Sequence, residues 1–132
     1  MSLEFINPPG LAAPRGFSHA VVGSGRLVFL AGQTALDESG RIVGTTVVEQ
    51  FDKALSNLVL ALAAAGGQPS DLASLTLYIV DVSDYRANAR AIGAVWQRVV
   101  GERYPAMAAI GVARLWDDEA LVEVQGYAVV PG

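Results

Sequence analysis

Residues 46–67 read TVVEQFDKALSNLVLALAAAGG. The apolar positions Val48, Phe51, Leu55, Leu58, Leu62 and Ala65 recur at steps of three and four, which places them on one face of an α-helix. Thr46 and Glu49 have the form of a capping box, in which hydroxyl and carboxylate reciprocally satisfy orphan backbone donors. Gly66-Gly67 offers the positive φ that ends the helix.

Upstream, Arg26–Gly32 (RLVFLAG) is a short, almost wholly apolar run after Gly25 and reads as a strand buried on both faces. Asp37, Glu38, Ser39 and Gly40 carry turn chemistry before Arg41–Val43, so a hairpin or short excursion joins that strand to the helix. Downstream, a turn with Pro69, Ser70 and Asp71 leads to a strand over Leu75–Val80 (LTLYIV). A second helix follows, capped by Ser83 or Asp84, with Tyr85, Ala89, Ile92, Trp96 and Val99 on one face and Gly101 as its stop. Two strands close the chain, roughly Met107–Leu115 and Leu121–Val130, around the acidic turn Asp117-Asp118-Glu119.

This order predicts an α+β fold with a mixed sheet and both helices on one face. In the last strand Val122, Val124, Gly126, Ala128 and Val130 point to the helices, and Leu121, Glu123, Gln125, Tyr127 and Val129 point away. No helix is left for that second face, which is too apolar for water and too polar for a closed core. A partner subunit is the expected cover.

Composition narrows the chemistry. The 132 residues fit one domain, 1–132, and zero Cys removes thiol nucleophiles, disulfides and Cys-ligated metals. The single His19 leaves no multi-imidazole zinc site within a subunit, so no such metal site is expected. Nine Lys plus Arg against thirteen Asp plus Glu give a net charge of -4, which weighs against a nucleic-acid partner. With 52 % hydrophobic and 17 % charged residues, the surface is poor enough in charge to favour oligomerisation. The longest apolar run, Leu58–Ala65, is far below the ~20 residues of a membrane span, and no signal-peptide pattern precedes it, so a cytoplasmic protein is expected. Met1, Ser2 and Leu3 carry no structural signal.

Four separated pieces resemble the RidA/YjgF family, also known as endoribonuclease L-PSP or translation inhibitor proteins. They are Leu27–Gln33 (LVFLAGQ), Gln50 with Asn57-Leu58, the span Asp81–Asn88, and Tyr104-Pro105-Ala106-Met107 through Val112-Ala113-Arg114-Leu115 to Val122-Glu123-Val124. The resemblance covers essentially the whole chain. It implies a chorismate-mutase-like fold, assembly as a homotrimer, and small-ligand clefts between subunits. It also implies cofactor-independent hydrolysis of reactive enamines and imines, such as 2-aminoacrylate, to a keto acid and ammonia. In the family an Arg two residues after the Pro of a Pro-Ala-Arg motif grips the substrate carboxylate, and a Glu on the last strand positions or activates water.

In this sequence Pro105-Ala106 is followed by Met107, so the resemblance implies that the carboxylate clamp is missing. A thioether has no donor to replace the two that a guanidinium offers. Glu123 matches the family acid and is the expected catalytic residue; Asn88 and Gly32 match positions beside the cleft. Phe17 stands where Tyr is common, His19 where Gln is common, and Ala31 replaces a Ser, so the ligand-binding set Phe17, His19, Gly32, Asn88 and Met107 is more apolar than usual. Arg15, Arg103 and Arg114 are further candidates for its polar content. Each residue also has a plainer reading: a paired structural acid for Glu123, a loop hydrogen bond for His19, a tie to a neighbouring loop for Asn88 and interface packing for Met107. The expected function is a divergent deaminase-type hydrolase acting on something other than the standard imino acids. The alternative is a noncatalytic metabolite-binding or partner-stabilising protein, and ribonuclease activity is not expected.

Overall fold

A computed structural model describes residues 3–132. The helix read from residues 46–67 is present as α1 (Val47–Ala64), and both halves of its capping box are made: the Thr46 hydroxyl accepts from the Glu49 amide, and the Glu49 carboxylate accepts from the Thr46 amide. Gly66 takes φ 90° at its end. The apolar stripe is buried at Phe51, Leu55, Leu58 and Leu62, with Val47 rather than Val48 opening it.

A short hairpin of β1 (Glu4–Ile6) and β2 (Ala20–Val22) begins the described chain, and β3 (Arg26–Gln33) follows. After α1 come β4 (Leu72–Ile79), α2 (Val82–Ala87), α3 (Ala89–Val99), β5 (Ala106–Gly111) and β6 (Val122–Val130). The main sheet has the order β3-β6-β4-β5. Strand β6 lies antiparallel to both β3 and β4, and β5 lies parallel to β4. The fold is therefore α+β with a mixed sheet, as the alternation of periods predicts. The excursion after β3 is a single bridge, Leu36 to Ile42, closed by a turn in which the Asp37 carboxylate accepts from the Ser39 and Arg41 amides.

Alternation along β6 is as read: Val122, Val124, Gly126, Ala128 and Val130 are buried beneath the helices, while Glu123, Gln125 and Val129 are half-buried and Tyr127 is exposed. On β3 the expectation of burial on both faces is corrected. Leu30 is buried and Val28 half-buried, but Leu27 is 57 % and Phe29 71 % exposed, because no helix or second sheet among the described residues covers that face of β3.

Several boundaries move as well. Strand β4 starts at Leu72, earlier than Leu75, directly after a single 3₁₀ turn over Pro69–Asp71. Strand β5 stops at Gly111 instead of Leu115. The second helix is capped by Asp81, whose carboxylate accepts from the Asp84 amide, and it breaks into α2 and α3 at Asn88. Leu3 has a structural role after all, since it is buried against the chain at Gly23; Met1 and Ser2 lie outside the described residues.

Candidate functional site

The predicted site residues fall into two groups on opposite faces of the sheet. Met107 pairs with Leu75 in the β4–β5 ladder and shares its face, the one packed beneath the helices. Glu123 pairs with Tyr78 in the β4–β6 ladder, three residues further along β4 and therefore on the other face. The chain by itself does not bring Met107 and Glu123 together.

Around Met107 the edge of β5 and the α2–α3 layer leave a cavity of about 270 Å³. Its walls include Phe17, Phe51, Tyr85, Trp96 and Tyr104. Helix α3 brings Trp96 here because Ile92, Val95 and Trp96 form its buried face, and the indole stacks on Tyr104 with centroids 5.2 Å apart while its N–H donates to the Arg103 carbonyl. Phe17 reaches the cavity from the loop before β2, after the turn at Gly16 with φ 73°. That loop is sewn to β5 by Ser18, whose amide donates to the Pro105 carbonyl and whose hydroxyl donates to the Tyr104 carbonyl at 2.6 Å. Larger concavities, of about 510 and 650 Å³, lie beside the β1 strand, and of the candidate site residues they contain Arg103 alone.

Tyr85 is the most perturbed acid in the cavity wall. Burial, with the neighbouring Tyr104 phenol as a smaller contribution, pushes its hydroxyl up to about 12, so it remains a neutral hydrogen-bonding group at physiological pH. In the unfolded chain the same phenol ionises near its ordinary 10.0. Between these values the unfolded state releases a proton that the folded state keeps, so stability is lost as the pH rises from 10.0 toward about 12. Urea unfolding across that interval should show a decline of up to about 2 kcal/mol that Tyr85→Phe removes. An equal decline in the variant would assign the effect to other groups.

On the opposite face, Glu123 and Gly32 meet. Strand β3 is irregular between Leu30 and Gln33, which sets Gly32 against β6. A Cβ at Gly32 would meet the Glu123 carboxylate, so the glycine lets that side chain lie close against β3. Tyr78, next to Glu123 on this face, donates to the Gln125 side chain at 3.1 Å. Glu123 thus offers a half-buried carboxylate at a sheet surface that no helix covers.

His19 and Asn88 have local partners. The His19 ring lies edge-on to Phe17 and pairs through Nε2 with the Ala12 carbonyl at 2.8 Å, while its amide donates to the Asn7 side chain. Asn88 Nδ2 donates to the carbonyl and the carboxylate of Asp84, tying the α2–α3 junction beside the cavity residue Ala89. Of the three arginines weighed, Arg114 is paired with Asp118, Arg103 lies over the Phe5 ring at 5.1 Å, and Arg15 lines the Met107 cavity. Among the described residues no cluster of three or more metal-ligating side chains occurs.

Residues 9–130 match the family described as Endoribonuclease L-PSP. This chain belongs to that family, RidA/YjgF. A RutC family protein of Pyrococcus abyssi is 30 % identical to it, over 97 % of this chain and 98 % of its own. The 2-iminobutanoate/2-iminopropanoate deaminase of Capra hircus is 32 % identical, over 89 % of this chain and 82 % of its own. Among solved structures, the Rid-family protein of unknown function YyfB from Yersinia pestis has a TM-score of 0.88 at 36 % identity, covering 98 % of this chain and 100 % of its own. These relatives bear out the RidA/YjgF fold. No helix among the described residues is long and apolar enough to cross a membrane.

The Met107 cavity has a distinct chemical character. Among the described residues its lining contains no carboxylate, the raised Tyr85 phenol stays protonated, and Met107 presents a polarisable thioether with no donor to offer. Such a space suits an apolar body. Tyr85 and Tyr104 were not among the residues expected to touch ligand; the helical periodicity of Tyr85 reads as core, yet it lines the cavity wall.

Proposed function

We propose that this protein is a deaminase-type hydrolase of enamines or imines, acting without a cofactor on a metabolite that lacks the carboxylate contact of the standard imino acids. The observation that carries this reading is the retention of Glu123 against Gly32 while Met107 lines an apolar cavity. In the reaction Glu123 takes a proton from water as the oxygen bonds to the imine carbon. Glu123 passes that proton to the imine nitrogen to give the carbinolamine, then takes the hydroxyl proton and delivers it to the same nitrogen as the C–N bond breaks, so that ammonia leaves and a carbonyl compound remains.

Because Glu123 and Met107 lie on opposite faces, a site that uses both is completed by a second subunit. In this reading the protein is a homotrimer whose open sheet faces cover one another, and the cavity of one subunit opens toward Glu123 of the next. The exposure of Phe29, Leu27 and Tyr127 on that face supports it, since Phe29 and Tyr127 already pair edge-on at 5.5 Å as one apolar patch.

The test is ammonia release from a panel of imines and enamines, with and without carboxylates, by the native protein and Glu123→Gln. The variant should lose about 10² to 10⁴ in rate on the preferred substrate while still binding ligands. Equal rates on every substrate would overturn the mechanism. Ligand-dependent thermal shifts without turnover by either protein would establish the binding-protein alternative, for which the loss of the family Arg at Met107 is the supporting observation. A monomer in micromolar light scattering would remove the intersubunit site.

A further inference from the structure

We infer that Arg15 is the specificity-determining cation of the Met107 cavity, and that the ligand is a compact apolar molecule carrying one anionic group at the end that faces the cavity rim. The inference rests on the cavity's being the ligand site, and it adds the class of ligand.

Arg15 is the one charged residue that lines the cavity. Among the described residues it has no ion-pair partner, whereas Arg98 is held by Asp52 and Arg114 by Asp118. Arg103, close in sequence to Met107, is turned onto Phe5 instead. Arg15 is exposed while Met107 is half-buried, so the guanidinium belongs to the mouth and the thioether to the interior. Gly16 makes the turn that lets Arg15 and Phe17 line the same space from successive positions on the loop. No acid among the described residues of its own subunit lines the wall to neutralise it, so the guanidinium can offer two parallel donors to a carboxylate or a similar anion arriving at the rim.

The size of the space sets the rest of the ligand. A volume of about 270 Å³, at roughly 30 Å³ for each water-sized group, holds on the order of nine non-hydrogen atoms. The aromatic walls of Phe17, Tyr85, Trp96 and Tyr104 favour a planar or branched apolar body. A small imino acid presents its carboxylate next to the reacting carbon. Here the anion and the buried end of the molecule are separated by the depth of the cavity.

Phenylacetate and its uncharged counterpart phenylacetamide are the probes, titrated calorimetrically into the native protein, Arg15→Gln and Arg15→Lys. The native protein should bind phenylacetate about tenfold more tightly than the amide, a modest factor because the rim is open to solvent, and the preference should shrink as salt rises. Arg15→Gln should bind both probes equally, with its affinity for the amide unchanged, and Arg15→Lys should keep part of the preference. A native protein that binds the two equally, or an Arg15→Gln variant that keeps the full preference, overturns the inference while leaving the cavity as the ligand site. Failure of the native protein to bind either probe overturns both.

Discussion

Met107→Arg is expected to raise ammonia release from enzymatically generated 2-aminoacrylate by about 10² to 10⁴ over the native protein. A guanidinium at this position would form two charge-assisted hydrogen bonds to the substrate carboxylate, each worth roughly 1.5 to 3 kcal/mol, and 3 to 6 kcal/mol is about that range in rate. The fold has space for the change, because the side chain at position 107 borders a cavity of about 270 Å³ instead of being packed on all sides. No acid among the described residues of the wall would capture the new cation, and the Tyr85 and Tyr104 hydroxyl oxygens can accept from it when no substrate is bound. Introducing a desolvated charge should lower stability by about 1 to 2 kcal/mol, so the comparison belongs at a temperature where both proteins are fully folded. Activity in the variant alone would mean an intact catalytic scaffold that Met107 has redirected to another ligand. Strong activity in both would mean that a second cation already holds the carboxylate, with Arg15 the first to replace, and imino-acid deamination would become the function. Inactivity in both would show that the chemistry of Glu123 has been lost along with the clamp.

The elements with strong periods were legible from residues alone. Helix α1 announced itself through its stripe and capping box, and the two faces of β6 through strict alternation, which also placed Glu123 on the uncovered side. What was not legible had weak local signals. The β1–β2 hairpin has three-residue strands too short to show a period. The break at Asn88 uses no Gly or Pro: the residue sits at φ -104°, ψ 18°, and its side chain turns back to the Asp84 carbonyl, a local contact that the residue type alone does not announce. Strand β5 reads AMAAIG, whose small residues carry no inside-outside pattern, and this hid which face Met107 would take. The separation of Met107 from Glu123 follows from that register. The resemblance supplied both residues, but the distance between them exists only in three dimensions.

Gln50→Leu is expected to lower the melting temperature by about 10 to 20 °C, although it replaces one buried side chain with another of similar size. Gln50 is 1 % exposed in the first turn of α1, between the buried Val47 and Phe51, yet it makes no use of an apolar environment. Its Nε2 donates to the Gly44 carbonyl at 3.1 Å and the Glu119 carbonyl at 2.9 Å, and its Oε1 accepts from the Leu121 amide at 2.8 Å. One amide therefore ties together the approach to α1 and the approach to β6, segments with no direct ladder between them. Leucine leaves three backbone groups unpaired in a partly buried setting. At roughly 1 to 3 kcal/mol each, with water rescuing some of them, the loss is about 3 to 5 kcal/mol. For a chain of this size that corresponds to the predicted shift in melting temperature. Gln50→Glu discriminates the mechanism, because a carboxylate can still accept from the Leu121 amide but faces two carbonyls with no proton to offer. It should be at least as destabilised at neutral pH and should recover part of the loss on acidification, when a protonated carboxyl regains one donor. Since Leu121 leads directly into Val122 and Glu123, turnover by Gln50→Leu should fall at temperatures well below its unfolding transition. Melting within about 2 °C of the native protein would show that the three contacts are replaceable, and the start of β6 would then owe its position to the packing of Val122 and Val124 alone.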